Sequence, residues 1–217
     1  DVAWQAQLIA PPEAGLEAAP IQVQAPWIGR DGSIAYATNS AGDLYAYWLS
    51  NGQPLFIRRA VGSFGRGFGQ HGDRLIAGLN GDVVALDAVT GRAFWVYRHT
   101  NSPDLVVCCG SNNRGLAISG ETLFMGTLDA QIVALNARSG RPIWKTAVAS
   151  SKSGYSITVS PLVVKDKVII GVGGGEYGIR GFIAAYDTLT GKEVWRFYTV
   201  PGPGEPGHET WEPCPPN

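Results

Sequence analysis

Apolar positions in this chain gather in short runs of strand length, and no run carries the sustained period of an amphipathic helix with its caps. Leu44-Tyr-Ala46-Tyr, Val83-Val-Ala85-Leu, Ile132-Val-Ala134-Leu and Phe182-Ile-Ala-Ala185-Tyr are such runs, and each predicts a buried strand. Each is followed by one recurring unit. The copies read Trp48-Leu-Ser-Asn-Gly52-Gln-Pro-Leu-Phe56, Asp87-Ala-Val-Thr-Gly91-Arg-Ala-Phe-Trp95, Asn136-Ala-Arg-Ser-Gly140-Arg-Pro-Ile-Trp144 and Asp187-Thr-Leu-Thr-Gly191-Lys-Glu-Val-Trp195. The Asp or Asn can fold its side chain onto the backbone two residues on, and the glycine takes the φ > 0 position that closes a tight turn. Every copy therefore predicts a hairpin.

The turn glycines stand 39, 49 and 51 residues apart, about one four-stranded propeller blade per copy. Ala46, Ala85, Ala134 and Ala185 precede their glycine by six residues, and Trp95, Trp144 and Trp195 follow it by four. A small and a large residue in fixed register read as a hole and a knob between neighbouring sheets. The first copy departs most, with Phe56 for tryptophan and no Asp. Between the hairpins, Ile34-Ala-Tyr-Ala, Arg74-Leu-Ile-Ala-Gly, Thr122-Leu-Phe-Met-Gly and Lys167-Val-Ile-Ile-Gly supply further strands. The expected fold is all-β: a β-propeller of four-stranded antiparallel blades, with about four to five blades of a larger ring in residues 1–217. Residues 201–217, with six prolines, read as a linker or irregular loop.

Composition narrows the function classes. Gly (29) and Pro (14) are abundant in 217 residues, while hydrophobic residues hold at 45% and charged ones fall to 16%, which excludes a disordered or coiled-coil chain. The 17 basic and 18 acidic residues form no like-charge block, so nucleic acid and anionic membrane surfaces are not expected partners. No apolar stretch is long enough to span a bilayer. A start at Asp1, without a charged-then-apolar leader, reads as a processed or truncated end with no export signal.

Candidate chemistry is sparse. Gly62-Ser-Phe-Gly-Arg-Gly-Phe-Gly69 is glycine-rich, but no helix pattern follows and no Lys-Ser or Lys-Thr closes it, so it is not read as a phosphate loop. His71, His99 and His208 lack metal-ligand spacing, and no Gly-x-Ser-x-Gly elbow occurs. Two segments stand out. Cys108 and Cys109 are adjacent, and they are either two thiols at a strand end or a vicinal disulfide, which would strain the peptide between them; Arg114 follows five residues on. In Gly171-Val-Gly-Gly-Gly-Glu176-Tyr-Gly-Ile-Arg180-Gly181 one carboxylate and one guanidinium lie in a backbone nearly stripped of side chains. That pattern suits either a close approach to a ligand with an oxygen for a hard cation, or a glycine-rich bulge with an internal Glu-Arg pair.

Cys108-Cys109-Gly-x-x-x-Arg114-Gly, the Asp-x-x-Thr-Gly-x-x-x-Trp repeat, Gly154-Tyr-Ser-Ile-Thr158-x-x-Pro161, Gly-Gly-Glu176-Tyr-Gly-x-Arg-Gly181 and the run from Glu193 to Gly207 together resemble the pyrroloquinoline quinone (PQQ)-dependent alcohol dehydrogenases, from about Gly81 to Trp211. The resemblance implies an eight-bladed ring, of which this chain is an amino-terminal half or a truncated form. It implies PQQ over a Cys108-Cys109 disulfide lid, Arg114 paired with a cofactor carboxylate, Thr158 hydrogen-bonded to the cofactor, Gly174 and Gly175 offering amides, and Glu176 ligating calcium or a lanthanide. Glu17, in Glu17-Ala-Ala-Pro20, resembles a further cofactor-side glutamate, although about one extra repeat separates it from Cys108. The family's catalytic aspartate, second metal ligand and quinone-stacking tryptophan are expected beyond Asn217. Where the family often has Ser-Gly-Ala-Glu, this chain has Gly173-Gly-Gly-Glu176 and lacks that hydroxyl; Cys214 is expected to be an unpaired thiol.

On this reading a primary alcohol is the substrate and cytochrome c the electron acceptor, in an oxidising compartment such as the bacterial periplasm or outside the cell. Uncovered blade edges imply a complementary propeller half or a homo-oligomer. The alternative is a non-catalytic propeller that keeps the repeat as a binding scaffold.

Overall fold

A computed structural model of the protein describes residues 27–39, 42–59, 64–79, 81–103, 105, 107 and 114–210. Among the described residues sixteen strands form four four-stranded antiparallel sheets, each a meander in chain order. The first sheet comprises β1 (Trp27–Ile28), β2 (Ile34–Thr38), β3 (Leu44–Trp48) and β4 (Pro54–Arg58); the second β5 (Phe64–His71), β6 (Arg74–Leu79), β7 (Asp82–Asp87) and β8 (Ala93–Tyr97). The third comprises β9 (Ala117–Ser119), β10 (Thr122–Gly126), β11 (Gln131–Asn136) and β12 (Pro142–Ala147); the fourth β13 (Leu162–Val164), β14 (Lys167–Gly171), β15 (Phe182–Asp187) and β16 (Glu193–Tyr198). Among the described residues helices are confined to three single 3-10 turns, and none is long and apolar enough to cross a membrane. The all-β, propeller-blade expectation is met.

The glycine-rich Gly62–Gly69 segment lies largely in β5, an edge strand whose register with β6 shifts between Phe64 and Phe68. Its glycines serve a bulged strand rather than an anion-binding turn.

Two compact units divide the chain. The first holds the described residues up to His99 together with 114–116 and Ala137–Arg141, and the second holds the remainder. The first is built on Ile34, Tyr36, Leu44, Leu75, Val84 and Leu86, the second on Phe124, Ile132, Val168, Ile170, Phe182 and Tyr186. Strands β3, β7 and β11 are buried on both faces, and β15 is too except at exposed Ile183, which is why they read as apolar runs without alternation. The edge strand β16 is exposed at every residue but Arg196.

The repeated turn works as its residues dictate. Asp187 Oδ1 accepts from Leu189 N (3.1 Å), Thr190 N (2.8 Å) and Thr190 Oγ1 (2.7 Å), while Gly191 N donates to Asp187 O (2.9 Å). Asp87 repeats the arrangement with Val89 and Thr90. These donors hold both carboxyls below their usual range, the Thr190 hydroxyl foremost at Asp187 and the Thr90 amide foremost at Asp87.

The knob and hole differ in one respect from the sequence expectation. Ala46, Ala85, Ala134 and Ala185 are the cross-strand partners of Phe56, Trp95, Trp144 and Trp195 within the same sheet. The hole is instead the next copy's turn glycine. A Cβ on Gly91 would come within 2.5 Å of Phe56, one on Gly140 within 2.5 Å of Trp95, and one on Gly191 within 2.6 Å of Trp144. Each indole N–H then donates to that turn's backbone, Trp95 to Ala137 O and Trp144 to Thr188 O, both at 3.1 Å. Trp195, the last knob, is 43% exposed, beside Phe197 at 65%.

Two buried phenols brace the cores. Tyr36 donates to Ala88 O at 2.9 Å, and Tyr186 donates to Glu193 at 3.1 Å beneath Arg196, which also reaches Val148 O. Burial first, then nearby carboxylates, pushes both phenols up to about 12.

Two outcomes follow. Gly191→Ala is expected to cost about 2–4 kcal/mol, through left-handed backbone strain (φ 69°) and overpacking against Trp144, and to lower the urea midpoint at unchanged slope. A cost near zero would mean that the indole does not rest on that turn. Because the folded state favours the protonated forms of Tyr36 and Tyr186, their contribution is complete below the ordinary phenol pKa of 10.0 and is lost as pH rises through about 12. Tyrosinate absorbance should show these two of the eight tyrosines ionising last and together with loss of sheet structure; a uniform titration with the fold intact would contradict this.

Candidate cofactor and metal site

Two segments of the second unit meet at the end of the fourth sheet. The loop from β14 to β15 carries Gly174, Gly175 and Glu176, and the segment after β12 carries Thr158. Ser156 and Gly173 exchange two backbone hydrogen bonds, Ser156 N to Gly173 O at 3.1 Å and Gly173 N to Ser156 O at 2.8 Å. This bridge brings Thr158 and the glycine-rich loop together.

Packing leaves glycine little alternative in this loop. Gly174 has φ 121°, and a Cβ there would lie 2.0 Å from Gly154 O. Gly154, at φ 88°, lies in turn against Tyr177, whose ring and Cβ would be 2.5–2.8 Å from its own added Cβ. Gly175–Tyr177 then forms a 3-10 turn closed by Gly178, with Tyr177 N bonded to Gly174 O (2.9 Å) and Gly178 N to Gly175 O (3.2 Å). Gly174 is buried, whereas Gly175 and Glu176 are exposed. The Glu176 carboxylate makes no hydrogen bond or ion pair with another described residue, and Arg180 bonds to Glu205, so the internal Glu-Arg pair weighed from the sequence does not form.

Thr158 is half-buried and follows Ile157, which anchors it. Ile157 N donates to Thr127 O at 3.0 Å, and its side chain occupies the space where a Cβ on Gly126 would sit, only 2.1 Å away. One turn of chain away, buried Asp129 accepts from Thr127 Oγ1 (2.6 Å), Gln131 Nε2 (2.8 Å) and Ser102 N (3.2 Å). Its carboxylate thus fixes the start of the segment leading to Cys108. Sequence reading missed this role; the signal was Thr127-x-Asp129-x-Gln131 at the end of an inner strand.

Arg114 is exposed and belongs to the first unit, while Cys108, Cys109 and Glu17 lie outside the described residues. Among the described residues no group of three or more His, Cys, Asp or Glu side chains assembles.

A family model described as "Outer membrane protein assembly factor BamB" (PQQ_2) matches residues 1–197. The chain belongs to this PQQ_2 family. Its PQQ_2 repeats are shared with dehydrogenases: it is 48% identical over 126 residues to quinohemoprotein alcohol dehydrogenase ADH IIB of Pseudomonas putida, covering 55% of this chain and 18% of that protein. It is 46% identical over 128 residues to the lanthanide-dependent methanol dehydrogenase of Methylacidiphilum fumariolicum, covering 57% and 21%. A solved europium-containing methanol dehydrogenase superposes with a TM-score of 0.59 at 40% identity, over 62% of this chain and 24% of that one. BamB from Moraxella catarrhalis superposes with a TM-score of 0.52 at 19% identity, a likeness of fold. The chain spans about a fifth of the length of the curated relatives it matches. The resemblance to PQQ-dependent alcohol dehydrogenases is therefore shown, and the chain is dehydrogenase-like in sequence.

The tightness of the loop is testable. Gly174→Ala is expected to cost more than about 3 kcal/mol in chemical denaturation, because its Cβ meets backbone, whereas Gly175→Ala, with open space around it, should stay within about 1 kcal/mol. Equal costs would show that the two glycines are not distinguished as described.

Proposed function

We propose that this chain forms part of a quinoprotein dehydrogenase that oxidises a primary alcohol to an aldehyde, with PQQ and a calcium or lanthanide ion as cofactors and a cytochrome c as electron acceptor. The observation that carries this reading is the Glu176 carboxylate, which has no partner among the described residues, on a turn whose supporting Gly154 and Gly174 admit no Cβ. A flat ligand can approach such a backbone closely, and a carboxylate without a protein partner is a ready oxygen donor for a hard cation. The residues present fit the cofactor and the ion.

Each group has a distinct part in binding. Glu176 ligates the metal, Gly174 and Gly175 offer amide hydrogens, Thr158 donates its hydroxyl and Arg114 pairs with a cofactor carboxylate through its planar fork. Cys108 and Cys109 form a vicinal disulfide that gives the cofactor a flat, polarizable wall, and Glu17 adds a further polar contact. The bound cofactor would supply hydride-accepting quinone chemistry, and a cation held by Glu176 would supply Lewis-acid polarisation. The proton-abstracting residue is supplied outside these segments. A vicinal disulfide requires an oxidising location, such as the periplasm or the exterior of a bacterial cell. A complementary propeller half or a second copy completes the assembly.

The match of residues 1–197 to the BamB-type model supports a second reading, a non-catalytic propeller scaffold. A PQQ titration of the oxidised protein with and without calcium or lanthanum, followed by absorbance and calorimetry, separates the two. Saturable metal-dependent binding that Glu176→Gln weakens roughly tenfold or more is expected. Intact mass should also rise by two hydrogens on reduction. Binding of neither ligand, with no mass change, would favour the scaffold.

A further inference from the structure

The Glu176 turn is poorly held from within. Six of the eleven residues from Gly171 to Gly181 are glycine, and the turn itself is exposed and closed only by its two 3-10 hydrogen bonds. A backbone so rich in glycine loses more freedom on ordering than any other, so its shape depends on how its ends are pinned. The pin on the amino-terminal side is the pair of Ser156–Gly173 hydrogen bonds.

On the carboxy-terminal side most of the hydrogen bonds run through Arg180. Its carbonyl accepts from Tyr155 Oη at 3.2 Å, which ties it to the same segment that bears Thr158. Its Nε donates to Val200 O at 2.8 Å, its Nη2 bonds to Glu205, and its guanidinium lies 3.9 Å from the centre of the Tyr198 ring. Glu205 also accepts from Gly202 N at 2.9 Å, and the Gly202 backbone lies flat on the guanidinium, where a Cβ would come within 3.2 Å of Nη1. The proline- and glycine-rich segment after β16 is thereby folded over Arg180. Neighbouring Gly181 is fastened as well, its carbonyl accepting from Thr199 N at 2.9 Å.

We infer that Arg180 is a positioning residue for the Glu176 turn, acting with Glu205 and the Val200–Glu205 backbone as a latch that fixes the direction of the Glu176 carboxylate. The inference rests on reading Glu176 as a metal ligand. Arg180 touches neither the cation nor its ligand; it removes the freedom that would otherwise cost affinity each time the turn orders around an ion. A lysine keeps the charge but loses the fork and the ring stacking, so charge alone does not replace it.

The test uses the full chain and two readouts. Amide hydrogen exchange at Tyr177 and Gly178 is expected to accelerate about tenfold in Arg180→Lys and in the milder surface variant Glu205→Gln, with the amides of β14 and β15 unchanged. Affinity for terbium, read by luminescence sensitised through Tyr177, should fall about tenfold in both variants, without activity being measured. Unchanged exchange at Tyr177 and Gly178 in both variants would overturn the latch. Faster exchange with unaltered terbium affinity would overturn its role in positioning the ligand. Wild-type terbium binding that is indifferent to Glu176→Gln would instead remove the metal reading, an outcome recognisable because it does not depend on Arg180.

Discussion

The whole arrangement depends on one contact, an aromatic ring laid on a left-handed glycine. Trp144 over Gly191 combines three effects at one point: ring burial, an indole N–H bonded to a turn carbonyl, and a backbone conformation that keeps any Cβ out of the ring's way. The Asp187 carboxylate holds that turn in shape by taking up the donors of Leu189 and Thr190. Without the turn, the ring has no seat, and the two-sided burial of strands such as β11 and β15 loses its covering layer. Thr146 adds a hydroxyl bond to Gly191 O at 2.8 Å, so the seat is held from both sides.

Much of this was legible because the constraint recurs. A repeated Asp-x-x-Thr-Gly-x-x-x-Trp can be aligned with itself, and glycine and tryptophan have few structural substitutes. The inner strands were equally clear, since burial on both faces leaves unbroken apolar runs. The first strand of each sheet was harder to see. Strands β1, β9 and β13 are two or three residues long and partly exposed, and β5 is interrupted by glycines, so none carries a pattern that differs from a loop. The alanine was assigned to the wrong side of the joint because sequence spacing gives register within a hairpin but not which sheet a side chain faces.

The site was legible in its residue types and not in its connections. Glu176 amid glycines was visible, but the partner of Arg180 was not, because Glu205 lies 25 positions away in a segment whose prolines and glycines read as a linker or irregular loop. Its described part folds back on itself, with Glu205 N on Gly202 O and His208 N on Glu205 O. Long-range polar pairs of this kind leave no periodicity, and a carboxylate can be matched to a guanidinium only after the fold has brought them together. Asp129 is similar: of the donors from residues 127, 131 and 102, only the first two are near in sequence.

The ring-on-glycine contact is also polar in direction. Phe56, Trp95 and Trp144 each rest on the turn of the copy that follows in sequence, so giver and receiver are different surfaces. Such a joint is heterologous: two identical exposed knobs cannot satisfy each other across a two-fold axis. Trp195, which has no following turn among the described residues, is therefore complementary to a turn and not to another Trp195. The surface thus has a handed, one-way valence.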